Sequence, residues 1–389
     1  MFTILLVLIY IAFISLGLPD ALLGSAWPSI YPQFDVPVSY AGLVMMVISF
    51  GTIVSSLYSD RLIRRLGTGT VTALSVGLTA LALFGISNAH SFLPLLLWAI
   101  PYGLGAGSVD AALNNFVALH YKARHMSWLH CFWGVGASLG PYIMGFCLMR
   151  HLDWNSGYHT IFFIQLLLTA ALVFSLPLWK KSVEKADEPQ KTAKNLRLKD
   201  VLQLAGAKPA LLAFFCYCGV ETTAGLWGST YLMLARGMAA DAAAQWTALF
   251  YLGITVGRFL CGFVTMKMTD ESMVRLGQGV GFVGILMLIL PLPINITVIG
   301  FALFGMGCAP IFPSLLHATP AHFGEDASQS IMGIQMAAAH LGNICMPPII
   351  GFLAQKISIH LYPVLLLALL ILMIVMTETL NRSQQKSAA

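Results

Sequence analysis

The sequence predicts an all-α membrane protein, with twelve transmembrane helices in two six-helix halves. Hydrophobic residues make up 58% of the chain and charged residues only 10%, where a soluble domain carries roughly a quarter charged. Apolar blocks of bilayer-spanning length, each about 20 residues, recur from end to end between polar or Pro/Gly-rich breaks. Residues of the first half also reappear in the second at a nearly constant offset, as an internal repeat requires.

The blocks fall at 3–27, 38–58, 68–87, 92–117, 127–149, 158–179, 208–233, 244–266, 274–292, 294–317, 329–354 and 357–379. The first starts at Phe2 without a basic leader or a small-residue cleavage site, so it reads as a span and not a removed signal. Trp27-Pro28 closes it, which places Trp27 in an interfacial belt. All seven cysteines fall inside spans and read as small buried hydrophobes. One long hydrophilic stretch, Lys180 to Asp200, is charged and carries Pro189, as a solvated linker would. It divides the chain into an N-terminal half 1–179, a linker 180–206 and a C-terminal half 207–389.

Lys and Arg set the orientation. With the linker inside, seventeen basic residues lie on the cytoplasmic side and three outside, with Arg258 within a span. The expectation is a multi-pass protein of the cell (inner) membrane with both termini cytoplasmic. The basic excess suits an anionic lipid surface; no dense basic stripe suggests nucleic acid.

The repeat fixes the architecture. Gly136, Pro141 and Gly145 of the fifth span recur as Gly342, Pro347 and Gly351 of the eleventh, at an offset of 206. Gly103, Gly105 and His120 recur as Gly305, Gly307 and His322 at 202, and Asp20 and Gly24 match Glu221 and Gly225 at 201. Six-plus-six repeats in one orientation point to alternating access around a midplane site.

Polar residues inside the spans mark that site. In Pro101–Asn115, Gly103, Gly107, Asp110 and Asn114 recur at spacings of four, three and four and share one helix face, with Asn115 beside them. Glycines admit a neighbouring helix, and a carboxylate at membrane depth must face protein or water. Asp20, Asp110, Glu221 and Arg258 are the charged residues set back from the span ends, each costing about 2.5–3.5 kcal/mol at mid-helix. Three acids and one base leave at least one carboxylate without a fixed cation, the property of a proton carrier. Glu221 and Arg258 read equally as a structural ion pair. Trp133 and Trp227 offer faces to a pyranose, or simply pack. His130, His340, Gln335 and Asn343 supply hydrogen-bonding groups, or are satisfied core residues; His340 and Asn343 form an i, i+3 pair.

After the second span, SLYSDRLIRR resembles the cytoplasmic loop signature of the major facilitator superfamily, G-x-L-x-D-R-x-G-R-R, at Asp60, Arg61, Arg64 and Arg65, with Ser56 and Ile63 where the signature has glycines. The resemblance implies the major facilitator fold and a charged clasp at these four residues. Within it, GLGAGSVDAALNNFV looks like the fourth-helix motif of the fucose–galactose–glucose:proton symporters, with Asp110 as the acid and Asn114 as the amide. Asp20 in LPDALL matches the helix-one acid, while His130 stands where the fucose permease branch has glutamine. GVETTAGLWGSTYL and YLGITVGRFLCG resemble the glucose/mannose branch at Glu221, Trp227, Tyr231, Gly257 and Arg258.

The resemblance implies proton symport of a monosaccharide, a hexose or deoxyhexose. Asp20, Asp110 and Glu221 serve coupling; Asn114, Asn115, His130, Trp133, Glu221, Trp227, Gln335, His340 and Asn343 line the sugar. Sodium is possible in place of the proton. No cofactor, metal or nucleic acid is implied, and the expected protein is a monomer in the bilayer. Two alternatives stay open: a proton-coupled exporter of drugs or metabolites, and a non-transporting membrane sensor. GVGASLGPYIMG resembles the glycine-proline signature of drug antiporters, but three residues separate Pro141 from Gly145 and the fourth span lacks their arginine. There is no phosphate loop, H-E-x-x-H or G-x-S-x-G to suggest an enzyme.

Overall fold

The computed structural model describes residues 2–120, 123–183, 198–265 and 267–388. Among them are twelve stretches long and apolar enough to cross a bilayer. Residues 184–197 of the expected linker, and the side chains of Asp60, Arg64 and Asn115, lie outside the described residues.

The first span is two helices, α1 (Phe2–Asp20) and α2 (Leu22–Gln33), broken at Ala21 just after Pro19. Proline removes a backbone donor and breaks the ladder there. At the break the Ser25 hydroxyl donates to the carbonyls of Ala21 and Leu22, at 3.1 and 3.0 Å. The carbonyl that Pro19 leaves without an N–H, that of Ser15, accepts the Gln165 side-chain amide at 2.6 Å, since water cannot solvate it at this depth. The span continues through Pro28 and Pro32 to Gln33, which corrects the expected end at residue 27. Trp27 is accordingly not a belt residue: it is 0% exposed and donates to the Val38 carbonyl at 2.7 Å.

Then follow α3 (Tyr40–Leu66), α4 (Thr68–Ser87), α5 (Phe92–His120), α6 (Ala123–Met149) and α7 (Trp154–Phe174). Two short helices, α8 (Leu176–Val183) and α9 (Leu198–Val201), flank the linker. The second set comprises α10 (Ala207–Arg236), α11 (Ala240–Val264), α12 (Asp270–Ile289), α13 (Ile294–Cys308) with α14 (Ile311–His317), the short α15 (Thr319–Phe323), α16 (Glu325–Lys356) and α17 (Tyr362–Ala388). Gly237 closes α10 with φ +69°, a left-handed cap glycine adopts without strain, and bonds back to Leu232 and Met233. Thr269 caps α12 by accepting from the Ser272 N–H.

Glycine contacts reproduce the sequence repeat in space. A side chain at Gly136 would collide with the Ile14 carbonyl where α6 crosses α1; one at Gly342 would collide with the Phe215 carbonyl where α16 crosses α10. Gly103 abuts Ile48 between α5 and α3, and Gly305 abuts Phe250 between α13 and α11. Ile48 and Phe250 stand at the same offset of 202 as the two glycines. The glycine-proline stretches therefore serve close packing of helix pairs.

Helices of the two sets meet at the end opposite the linker, and α6 and α11 pack on further toward the linker side, with Gly134 against Thr255. Gly24 of α2 lies against Gly225 and Leu226 of α10, Gly42 of α3 against Pro347 and Pro348 of α16, and Gly145 of α6 against Asp241 and Gln245 of α11. Ser39 donates to Gln355 at the same end. That end is closed by backbone-to-backbone contact.

Candidate functional site

Beneath this closure the helix break places Asp20 at the C-terminal end of α1, where its carboxyl meets two neutral donors. Tyr102 of α5 donates its hydroxyl to Oδ1 at 2.9 Å, and Trp133 of α6 its indole N–H to Oδ2 at 2.8 Å. A close crossing makes the second bond possible: Gly17 of α1 faces the Trp133 backbone with no side chain between.

Trp133 is shared. Its ring face carries the Arg258 guanidinium, Cζ 5.3 Å from the centroid, and its edge meets Tyr251 at 6.4 Å between centroids. Both Arg258 and Tyr251 belong to α11, seven residues apart on one helix face. Arg258 reaches Glu221 of α10 at 3.7 Å and donates to the His130 carbonyl at 3.4 Å. Its Nε has no partner among the described residues, nor has the buried Tyr217 hydroxyl four residues before Glu221. Asp20, Trp133, Arg258 and Glu221 thus form one polar chain from the first span to the seventh and eighth.

Asp110 lies two turns beyond Tyr102 on α5. It is exposed while Val109, Ala112 and Leu113 beside it are buried, and it feels the charge of Asp20. A carboxyl at membrane depth must face protein or water and not lipid. Asn114 donates to its Oδ1 at 2.9 Å, one turn along the same helix. His130 turns its half-buried ring edge-on to Phe13, 5.9 Å between centroids.

The other sequence-selected residues stand apart from this chain. Trp227 is 0% exposed, donates to the Pro347 carbonyl at 3.0 Å and packs on Gly351, the arrangement of a structural tryptophan. Gln335 is buried and accepts from Thr319 at 3.0 Å. Asn343 accepts from Thr222 of α10 at 2.6 Å, a bond that runs across helices, and His340 is half-buried one turn before it on α16. In the expected clasp Arg61 lies over the Tyr58 ring at 5.6 Å and Arg65 is exposed.

Sequence reasoning missed Tyr102 and Tyr251. Each lies about two turns before a selected charge on its own helix, Asp110 and Arg258, and that spacing was the available signal.

Comparison with known proteins agrees with this architecture. The chain is 22% identical over 392 residues to Bypass of stop codon protein 6 of Saccharomyces cerevisiae, covering 91% of this chain and 78% of that one. It is 23% identical over 278 residues to the glucose/mannose transporter GlcP of Bacillus subtilis, covering 67% and 65%. Among solved structures, the nucleoside transporter NupG superposes with a TM-score of 0.76 at 12% identity, over 97% of this chain and 98% of that chain. The profile of the Major Facilitator Superfamily matches residues 9–294 and 210–387, so the chain belongs to that superfamily and is a multi-pass membrane protein of the transporter class.

Proposed function

We propose that the chain imports a monosaccharide, a hexose or deoxyhexose, together with a proton by alternating access. One observation carries the reading: Asp20 sits at a helix break beneath the closed contact between the two sets of helices, held by neutral donors, while the one cation nearby is engaged by Glu221. A carboxylate with no cation of its own among the described residues, beside the exposed Asp110, is equipped to take and release a proton. The likeness to a glucose/mannose transporter supports a sugar. Trp133, Asn114 and His130 supply an aromatic face and hydrogen-bonding groups of the kind a pyranose needs.

In this reading residues 1–179 and 207–389 are the two moving halves, and both termini with the linker face the cytoplasm of a cell (inner) membrane. Asp110 is then reached from inside, and the protein works as a monomer. The proton binds Asp110 or Asp20 from outside, sugar is held in that state, and proton loss inside lowers its affinity; only such differential affinity couples the flows.

The test is uptake of labelled hexoses and deoxyhexoses into proteoliposomes, with and without an imposed pH gradient. Gradient-driven accumulation supports the reading. Gradient-driven expulsion would make the protein an exporter, and binding without flux would make it a sensor.

A further inference from the structure

Trp133 is the side chain that contacts an acid of the first span and the cation of the eighth at once. Its indole N–H is its sole polar handle and can serve one strong acceptor, here Asp20 Oδ2 at 2.8 Å. Its face is electron-rich and takes Arg258 at 5.3 Å. Arg258 is loosely held otherwise: Glu221 stands at 3.7 Å, the His130 carbonyl at 3.4 Å, and Nε has no partner among the described residues. A bond to an ionised acceptor is roughly twice as strong as one between neutral groups, so the charge on Asp20 decides how firmly the indole is fixed.

We propose that Trp133 is a positioning residue that transmits the protonation of Asp20 to Arg258, as an ion pair split by an indole. With Asp20 ionised, the N–H is pinned on one side and the guanidinium held on the other. When the carboxyl takes a proton, the N–H loses its charged acceptor and the indole is released from Arg258. Resting on the sugar reading above, the inference goes one step further: the freed indole is the face on which the pyranose stacks, so Arg258 and the sugar compete for one ring and proton loss favours Arg258.

The groups that face Asp20 are Tyr102 and Asp110 of α5 and Tyr251 of α11, with Tyr158 of α7 behind Tyr102. Those that face Arg258 are His130 and Cys131 of α6, Tyr217, Cys218 and Glu221 of α10, Cys261 of α11 and Cys308 of α13. Titration of any of these other than Asp20 would persist when Asp20 is replaced, and that separates the possibilities.

The test needs no substrate. The chain has eight tryptophans; fluorotryptophan is incorporated into the full chain in lipid nanodiscs, and Trp133→Phe identifies the Trp133 fluorine resonance by its loss. That resonance should move with pH in the native protein, stop moving in Asp20→Asn, and move with a displaced midpoint in Tyr102→Phe. Arg258→Gln should displace it at high pH, where the guanidinium is held, more than at low pH. A resonance that ignores pH in the native protein, or that titrates undiminished in Asp20→Asn, overturns the proposal; the native titration and Tyr102→Phe decide it even if Asp20→Asn does not fold. Adding D-glucose, D-mannose and L-fucose forms a separate arm. Sugar that shifts the resonance at low pH only supports the competition, whereas an intact pH response with no sugar effect upholds the Asp20–Trp133 link and counts against the sugar reading alone.

Discussion

Gly24 of α2 and Gly225 of α10 occupy the same place in the two repeats, 201 residues apart, and lie against each other where the two sets of helices close. Equivalent residues meet in this way across a two-fold relation. The same relation interchanges the contact of α3 with α16, at Gly42, and that of α11 with α6, at Gly145. The closure rests on backbone contact that any side chain would hold apart.

Gly24→Val should therefore keep the closed end from closing. Overpacking costs about 1–3 kcal/mol, here charged to one conformation and not to the fold as a whole. A cysteine placed at Thr222, below the contact, should label faster from that end in the Gly24→Val background, with transport lost. Unchanged labelling would show that the contact is not a gate.

Arg258→Gln should destabilise the protein by on the order of 3 kcal/mol, because it leaves Glu221 largely buried without its cation. Glu221→Gln combined with Arg258→Gln should recover most of that loss in thermal unfolding. A double variant as unstable as the single one would mean that Arg258 matters through Trp133 and His130 more than through Glu221.

Trp227→Phe removes the indole donor to Pro347 and should cost about 1 kcal/mol, seen as a lower Tm. The KM for substrate should not change, since the ring is sealed between helices. A raised KM with unchanged Tm would return Trp227 to the substrate.

Much of this was legible in the sequence. Twelve apolar blocks, the glycines at 136 and 342, and the acids within the spans are read from composition and spacing alone, because membrane depth penalises every exception. The errors share a cause. Pro28 looks like the end of a span, and nothing local tells that α2 carries on to Gln33 and buries Trp27. Trp133 and Trp227 look alike in sequence, yet one lies beside an acid and a cation and the other against Pro347 and Gly351. Asn343 is satisfied by Thr222, 121 residues away in the chain. Helix face is set by neighbours within four residues; the partner on the facing helix is set by tertiary packing and leaves no local trace. Tyr102 and Tyr251 escaped for the same reason.

The central claim is that sugar and proton cross together, and the most direct measurement is a pH electrode in a lightly buffered suspension of proteoliposomes. Adding the transported sugar should alkalinise the medium in step with uptake; Asp110→Asn should abolish that proton movement and accumulation while sparing sugar exchange. Sugar uptake without any proton movement, or uptake that follows a sodium gradient instead, would contradict the account.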